Sequence, residues 1–438
     1  MPLPLPLPLS QQSRRTADSP ISYFIRTAIE TPGLISLAAG LVDEGSLPAE
    51  GVKAAVDDIL SDPARARAAL QYGSTQGLPG LREQVLDRVC AADGVTPADA
   101  HLDAGCVILT TGSQQMLYLL GEALFDEGDI VICEAPSYFV YHDCLKSHGA
   151  RVYSVPMDAG GMNLAALDDL LARLDAAGEL PKVKLIYTVD YFQNPTGLSL
   201  AADRRPQLVD IARKYSRGHR ILILEDAAYR ELRYDGPDLP SVKKFDPANE
   251  FVVYTSTFSK PCAPGLKTGY SLVPHDLVAP LCNLKGGHDF GSSNLAQHVL
   301  QRMIAVGDYD KQVEKLQGVY RSKKEAMLRA IEAEFADWPA VRWTKPAGGL
   351  YVWLTFPPHV DAGRGGQLLP RALAAGVLYI PGWFGHVPDE FGHVPTNEVR
   401  LSFGVADEAQ IAEGIRRLRA ACHGLEANSV PAPAAVGV

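Results

Sequence analysis

The residues best suited to chemistry lie in Thr255-Ser256-Thr257-Phe258-Ser259-Lys260-Pro261-Cys262-Ala263-Pro264-Gly265-Leu266-Lys267. Lys260 follows the short β-rich run Phe251–Tyr254, hydroxyl side chains flank it, and a second cation, Lys267, stands seven residues on. Hydroxyls and cations gathered in one turn suit a phosphate group. A lysine beside them, at a strand end, can form a Schiff base with an aldehyde. Taken alone, a polar loop with a surface lysine describes the segment at least as well.

Other motifs share the same placement. Asp226 ends the apolar run Ile221-Leu222-Ile223-Leu224, within Glu225-Asp226-Ala227-Ala228-Tyr229. An acid just past a buried strand is either a helix cap or the partner of a buried cation, and a protonated pyridine nitrogen is such a cation. Asn194 opens Asn194-Pro195-Thr196-Gly197, which is also a good turn by composition alone. Thr110-Thr111-Gly112-Ser113-Gln114-Gln115 follows Val107-Ile108-Leu109 and opens a helical pattern. It is either a plain Ser N-cap or an anion site built from free backbone N–H groups and the Ser113 side chain. Arg400 alternates with Val399 and Leu401 in Glu398-Val399-Arg400-Leu401-Ser402. If its strand face is buried, the guanidinium needs a carboxylate, from a substrate or from another side chain.

A phosphate, a phenolic oxygen, a pyridine nitrogen and an aldehyde are the groups these motifs would meet, and pyridoxal 5′-phosphate (PLP) carries all four. The series TTGSQQ, PSY, NPTG, EDAAY and STFSK, followed by a late arginine, resembles the class I/II aminotransferases of PLP fold type I from about Gly33 to Leu418. Leu34-Ile35-Ser36-Leu37-Ala38-Ala39-Gly40 and Gln71-Tyr72-Gly73-Ser74-Thr75-Gln76-Gly77 are similar to the subgroup containing 2-aminoadipate and kynurenine aminotransferases. The resemblance implies that Lys260 holds PLP and later carries a proton between substrate and cofactor. It implies that Asp226 pairs with the ring nitrogen, that Asn194 and Tyr229 bond the phenolic oxygen, and that Tyr138 stacks on the ring. Gly112, Ser113, Gln114, Thr257, Ser259 and Lys267 would surround the phosphate. Tyr72 would reach the phosphate of a neighbouring subunit, which makes a homodimer with shared sites the expected assembly. Arg400 would grip the substrate α-carboxylate as a bidentate pair, beside Gly40 and Asn194.

Two features depart from the family pattern. Lysine stands at 267 where arginine is usual, so a point charge replaces a fork and contact with the phosphate stays open. Asp43 and Glu44 lie in a loop expected near the substrate side chain, either as a solvated acidic loop or as a preference for a positively charged substrate. Tyr23, Arg26, Leu41, Trp383 and Phe384 are further candidates to line the side-chain pocket. Arg26 is either a solvated helix residue or a partner for an acidic side chain.

Positioning these groups requires a particular architecture. Short apolar runs (130–132, 152–155, 183–187, 221–224 and 251–254) alternate with helical patterns at 114–125, 164–174 and 204–215. That alternation predicts an α/β fold with a mostly parallel sheet covered on both faces. Ligands bind such sheets at the carboxyl ends of the strands, where the motifs fall. A long helical pattern from 308 to 335, then strand-like pieces at 341–343, 350–354 and 399–402, reads as a smaller α+β domain. The expected organisation is a disordered Pro-rich tail over 1–18 and an arm over 19–48 that packs with the small domain. The large PLP-binding domain would occupy 49–305 and the small domain 306–424, with a disordered tail over 425–438.

Composition narrows the partners. The 438 residues are 47% hydrophobic and 21% charged, within the range of a globular protein of two or three structural units. Lys plus Arg is 41 against 51 for Asp plus Glu, a net charge of -10 that argues against nucleic acid or an anionic membrane as partner. Seven scattered cysteines, none spaced as CxxC, fit a reduced cytoplasmic protein and not a zinc site, and no metal is expected. The opening MPLPLPLPLS reads as a polyproline-type tail. The expected function is PLP-dependent transfer of an amino group from an L-amino acid to a 2-oxo acid, with 2-oxoglutarate as the expected acceptor. A PLP lyase or decarboxylase is the alternative on the same fold. A regulator fusing this fold to a helix-turn-helix is disfavoured, since only about 18 residues precede Ser19 and they contain no helix pair.

Overall fold

The computed structural model describes residues 7–16, 24, 26–28, 30–389 and 391–426. A short strand, β1 (Ile35–Ser36), precedes the main body. Eight strands then form one sheet: β2 (Val107–Thr110), β3 (Ile130–Ala135), β4 (Arg151–Asp158), β5 (Gly161–Met162), β6 (Val183–Thr188), β7 (Leu222–Asp226), β8 (Val252–Thr257) and β9 (Gly269–Leu272). Their order is β2-β9-β8-β7-β6-β3-β4-β5. β8, β7, β6, β3 and β4 run parallel, while β9 is antiparallel to both its neighbours. The mostly parallel α/β sheet expected from the alternation is therefore present. Its central strands are buried along nearly their whole length, because helices cover both faces, and so they read as continuous apolar runs. The strand β4, near the sheet edge, instead mixes buried and exposed positions.

After the helices His275–Asp289 and Asn294–Ala305, the 28-residue helix Asp308–Phe335 leads into a second sheet. Its strands are β10 (Arg342–Trp343), β11 (Tyr351–Thr355), β13 (Ile380–Pro381) and β14 (Glu398–Ser402), ordered β10-β11-β14-β13 and antiparallel throughout. The last helix, Glu408–Ala421, packs along Asp308–Phe335 and begins at a reciprocal capping box between Asp407 and Gln410. β12 (Val377–Leu378) pairs in parallel with β1, so the segment before residue 40 is stitched to the C-terminal part by backbone hydrogen bonds. Phe24 is buried and meets Phe384 edge-on at 5.7 Å. No helix among the described residues is long and apolar enough to cross a membrane.

Two details differ from the sequence-based reading. Within the stretch expected to be a disordered tail, Gln11–Arg15 form a short helix capped by Ser10. It is anchored by Gln12 donating to the Tyr118 hydroxyl at 2.8 Å and by an Arg15–Glu127 ion pair. Asp43 is neither a solvated loop acid nor available to a basic substrate. Its carboxylate accepts from Lys323 Nζ at 2.6 Å and from the Ser46 hydroxyl at 2.5 Å, with the Lys323 side chain only 7% exposed. Burial works to raise the Asp43 pKa, but the bonds from Lys323 and Ser46 outweigh it and hold the carboxyl below its ordinary value. A loop that sequence reasoning treats alone is thus bolted to the long helix by a buried cation. Glu44 remains exposed.

Removing one partner of such a pair strands the other in a dry place. Asp43→Ala is expected to lower the unfolding free energy by about 2 kcal/mol, and Glu44→Ala to change it little. Because the folded-state pKa is depressed, the Asp43 contribution is full above the ordinary aspartate range and fades as pH falls through the folded value. Denaturant melts of both variants at neutral pH check this. Equal losses at the two positions would remove the ion pair from the account.

Candidate active site

The motifs meet where β7, β8 and the loops after β2, β3 and β6 end. Thr111, Gly112, Ser113, Gln114, Tyr138, Val189, Asn194, Asp226, Ala228, Tyr229, Thr257, Ser259, Lys260, Pro264 and Lys267 line one cleft of about 280 Å³. A smaller compartment of about 150 Å³ is lined by Gly40, Leu41, Tyr138, Phe139, Val140, Asn194, Tyr229, Lys260, Tyr351 and Arg400. Lys260, Tyr138, Asn194 and Tyr229 belong to both linings and form the wall between them.

One end of the larger cleft is built for an anion. Gly112, not Ser113, is the N-cap of the helix Ser113–Leu124; it sits at φ 67° and makes no side-chain cap bond. The plain Ser N-cap reading is therefore not what forms, and N–H groups of the first turn remain available, as at other anion-binding helix ends. Gly269 on β9 lies behind this turn. A Cβ there would come within 2.5 Å of the Ser113 backbone nitrogen, so only glycine lets the strand support the loop so closely. Thr257 and Ser259 face the same end, their hydroxyls 3.0 Å apart. Lys267 lines the cleft from an exposed position at φ 48°.

The floor carries a carboxylate held away from water. Asp226 is 4% exposed; Tyr187 donates its hydroxyl to Oδ2 at 3.0 Å and the Ala228 N–H donates to Oδ1 at 3.3 Å. Burial pushes its pKa up to about 6, against the lowering effect of these two bonds. Lys260 Nζ donates to the Gly40 carbonyl at 2.8 Å. Burial holds the Lys260 amine below its usual value; nearby Tyr351 opposes that shift and Arg400 adds to it. Tyr138 stands at the start of the helix Phe139–Ser147, its hydroxyl 3.4 Å from Gln114 Oε1.

Arg400 is 1% exposed on β14, between Trp353 and Ile380 of the flanking strands. Among the described residues no ion pair joins it to a carboxylate. Nη1 donates to Asn194 Oδ1 at 2.8 Å, Nη2 donates to the Ala38 carbonyl at 2.7 Å, and Nε has no partner among the described residues. Its guanidinium carbon lies 4.5 Å from the centre of the Tyr351 ring and 5.5 Å from that of Phe139. The intramolecular salt bridge offered as the alternative for this residue is absent among the described residues.

Of the residues singled out from the sequence, Gly112, Ser113, Gln114, Tyr138, Asn194, Asp226, Tyr229, Thr257, Ser259, Lys260 and Lys267 share the cleft, and Gly40 and Arg400 the compartment. Arg26 is exposed and lines neither space. Tyr23 lies outside the described residues. Leu41 lines the compartment, whereas Trp383 and Phe384 stack on each other at 4.3 Å, with Phe384 6.1 Å from Phe139. Tyr72 is 80% exposed and pairs edge-on with Phe290, itself 63% exposed, at 5.5 Å. Sequence reasoning missed Tyr187, Phe139, Val140 and Tyr351. Tyr187 had a visible signal, since it lies in an apolar run that reads as a strand beside that of Asp226; Tyr351 had none.

Pyridoxal phosphate can be tested against this geometry. A helix N-terminus without a side-chain cap, backed by a glycine that admits no Cβ, suits its phosphate. A buried carboxylate with no cationic partner among the described residues suits its ring nitrogen, and an amine held off its ordinary pKa suits its aldehyde. The residues fit the group.

Residues 32–418 match the family model described as aminotransferase class I and II. The chain is 34% identical over 396 residues to aromatic-amino-acid aminotransferase 1 of Thermococcus litoralis, covering 89% of this chain and 88% of that one. It is similar to the crystal structure of Pyrococcus horikoshii kynurenine aminotransferase, with a TM-score of 0.85 and 31% identity, over 96% of this chain and 98% of the other. It is also similar to the α-aminoadipate aminotransferase of Thermus thermophilus, complexed with N-(5′-phosphopyridoxyl)-L-leucine, at a TM-score of 0.80 and 32% identity over 96% of this chain and 98% of that one.

A carboxylate whose folded-state pKa stands above its unfolded value opposes folding wherever it is ionised. For Asp226 the opposition is full above about 6 and is gone below 3.8. Cofactor-free Asp226→Asn is therefore expected to exceed cofactor-free wild type in stability by about 2–3 kcal/mol at pH 8. The gain should shrink as pH is lowered, and the variant should retain the cofactor less well. Melting curves across pH check the first, dialysis against buffer the second. A variant less stable than wild type at pH 8 would show that Tyr187 and Ala228 already offset the burial.

Proposed function

This chain belongs to the class I and II aminotransferases, PLP-dependent enzymes that move an amino group from an amino acid to a 2-oxo acid, and on that premise we propose the following roles. Lys260 carries the cofactor and shuttles the proton. Asp226 binds the ring nitrogen, Asn194 and Tyr229 bind the phenolic oxygen, and Arg400 binds the substrate carboxylate. The observation that carries this assignment is the position of Lys260, which lines both the cleft of Asp226 and the compartment of Arg400.

When bound, PLP supplies an aldehyde for the substrate amine and a ring that withdraws electrons from Cα. The chain's own residues do the rest. The Asp226 carboxylate would pair with the pyridine nitrogen and favour its protonated form, since an adjacent negative charge stabilises a buried cation. The Asn194 amide oxygen is already taken by Arg400, which leaves its N–H donors for the phenolic oxygen. Ser113, Gln114, Thr257, Ser259 and the free helix N–H groups hold the phosphate, and Lys267 adds its charge from the rim. Tyr138, which lines both the cleft and the compartment, would pack against the ring. A lowered pKa gives Lys260 a larger fraction of neutral amine near neutral pH, so it could take the proton from Cα and deliver it on the cofactor side instead of returning it. Arg400 fixes the carboxylate and thereby the direction of the Cα–H bond.

The side-chain wall of the compartment is Leu41, Phe139, Val140, Tyr138 and Tyr351, and its described lining contains no acid and no cation besides Lys260 and Arg400. This lining supports donors with aromatic or large apolar side chains. The acceptor is proposed to be a 2-oxo acid held by the same Arg400, with 2-oxoglutarate the first to test. A homodimer is proposed on the exposed Tyr72–Phe290 pair, an aromatic patch that a second copy would cover while Tyr72 reaches that copy's phosphate. Seven free cysteines, six of them buried, support a cytoplasmic location.

Lys260→Ala is expected to abolish both turnover and the cofactor's visible absorbance, and a variant retaining both would overturn the assignment. Arg400→Ala should raise KM for the amino donor about a hundredfold or more while leaving PLP retention nearly unchanged; equal losses would deny it the carboxylate. For the dimer, Tyr72→Phe should loosen cofactor retention without altering the sedimentation coefficient. A monomeric wild type, or a Tyr72→Phe protein that holds PLP as tightly as wild type, would remove the shared site.

A further inference from the structure

The compartment contains a phenol that the reaction as described leaves unused. Tyr351 opens β11 and is 1% exposed. Its ring lies under the Arg400 guanidinium at 4.5 Å, and its hydroxyl is 3.2 Å from the hydroxyl of Tyr229. The two rings meet edge-on, their centres 5.8 Å apart at 79°. The Tyr351 hydroxyl is packed so tightly on Gly40 that a Cβ there would collide with it. Gly40 is also the residue whose carbonyl receives the Lys260 amine. One side chain therefore touches the residue proposed for the phenolic oxygen, the residue proposed for the substrate carboxylate, and the backbone that steadies the lysine.

The direction of the Tyr229–Tyr351 bond follows from counting protons. Each phenol has one. If Tyr229 donates its one hydrogen bond to the cofactor's phenolic oxygen, its own oxygen can only accept, and Tyr351 is the hydroxyl within reach among the described residues. A donor whose oxygen is itself hydrogen-bonded is a stronger donor, because the bonds polarise one another. The ring has a separate task. Arg400 carries no acid partner among the described residues, and an aromatic face at this distance steadies a desolvated guanidinium without using up its N–H groups.

Resting on the roles given above to Tyr229 and Arg400, we propose that Tyr351 is a positioning residue for the transfer reaction. Its hydroxyl backs Tyr229 against the cofactor's phenolic oxygen, and its ring sets the plane in which Arg400 meets the substrate carboxylate. The two ends of the substrate, its amine at the cofactor and its carboxylate at the arginine, are thereby registered by one side chain.

The test titrates the holoenzyme's visible absorbance against pH, a readout that does not depend on turnover. Weaker donation to the phenolic oxygen leaves its charge less stabilised, so the neighbouring proton is held more tightly. Tyr351→Phe, which removes only a hydroxyl, is expected to raise the titration midpoint by about half a unit, and Tyr229→Phe to raise it further. In a Tyr229→Phe background, Tyr351→Phe should add nothing, since its route is gone. An unmoved midpoint in Tyr351→Phe, or the same shift with Tyr229 absent, would overturn the proposal for the hydroxyl. For the ring, Tyr351→Phe should keep the amino-donor KM within about twofold and Tyr351→Leu should raise it about tenfold. Equal KM values for Phe and Leu would overturn that half. A wild-type holoenzyme with no pH-dependent visible band would instead defeat the underlying assignment of Lys260, a result distinct from any failure of Tyr351.

Discussion

A guanidinium taken out of water without a carboxylate beside it is costly, and among the described residues Arg400, at 1% exposure, has no such partner. What makes it tolerable comes from every part of the chain. Asn194, in the loop after β6, gives an amide oxygen; Ala38, beyond β1, gives a carbonyl; Tyr351 on β11 and Phe139 on the helix after β3 give ring faces. These four elements have no local reason to meet. The parallel pairing of β1 with β12 brings the N-terminal segment to the small sheet, and the register of β11 on β14 sets Tyr351 across from Ser402, two residues past Arg400. The small sheet, the large sheet and the N-terminal segment are joined around one charge.

The same geometry separates the site's two tasks. The anion cradle and the buried Asp226 belong to strand ends and helix starts of the central sheet, where dipoles and backbone N–H groups are fixed by the fold itself. The site proposed for the substrate carboxylate belongs to an antiparallel sheet and to the N-terminal segment, elements joined by backbone hydrogen bonds and the Asp43–Lys323 pair. Lys260 stands where they meet. Within the two linings Asp226 is the one acid beside Lys260, Lys267 and Arg400, so the site is net cationic although the whole chain carries -10.

Much of this was legible before any coordinates. Period and apolar runs located β3, β4, β6, β7, β8 and the helix Asp308–Phe335, because each is long enough, or buried enough, for its own residues to dictate its state. Motifs at strand ends were legible for the same reason: a polar group just beyond a buried run has few structural uses. What was not legible depends on partners distant in sequence. β1 and β12 are two residues each and exist only because they pair with one another. The role of Asp43 is set by Lys323, 280 residues away, and that of Tyr351 by Tyr229 and Arg400. Gln11–Arg15 forms a helix by docking on Tyr118 and Glu127, contacts that composition cannot announce. Of the two readings of Ser113, the plain N-cap fails because Gly112 takes that position with the positive φ that the turn requires.

The charged groups of the site do not pair with one another. Among the described residues, Lys260, Asp226 and Arg400 take part in no ion pair, although burial disfavours the charge on both Lys260 and Asp226. Had the fold joined lysine to aspartate, the protein alone would be more comfortable, but each ligand would have to break that pair before making its own. Leaving the groups apart, each hydrogen-bonded to neutral partners, keeps them oriented while their electrostatic demand goes unmet. In the roles proposed for them, a ring nitrogen that can carry a proton, an aldehyde and a carboxylate would meet those demands one by one, so the energy withheld from folding would become available for binding. The neutral partners Tyr187, Gly40, Asn194 and Tyr351 therefore matter as much as the charges, for they hold the charged groups in place without neutralising them.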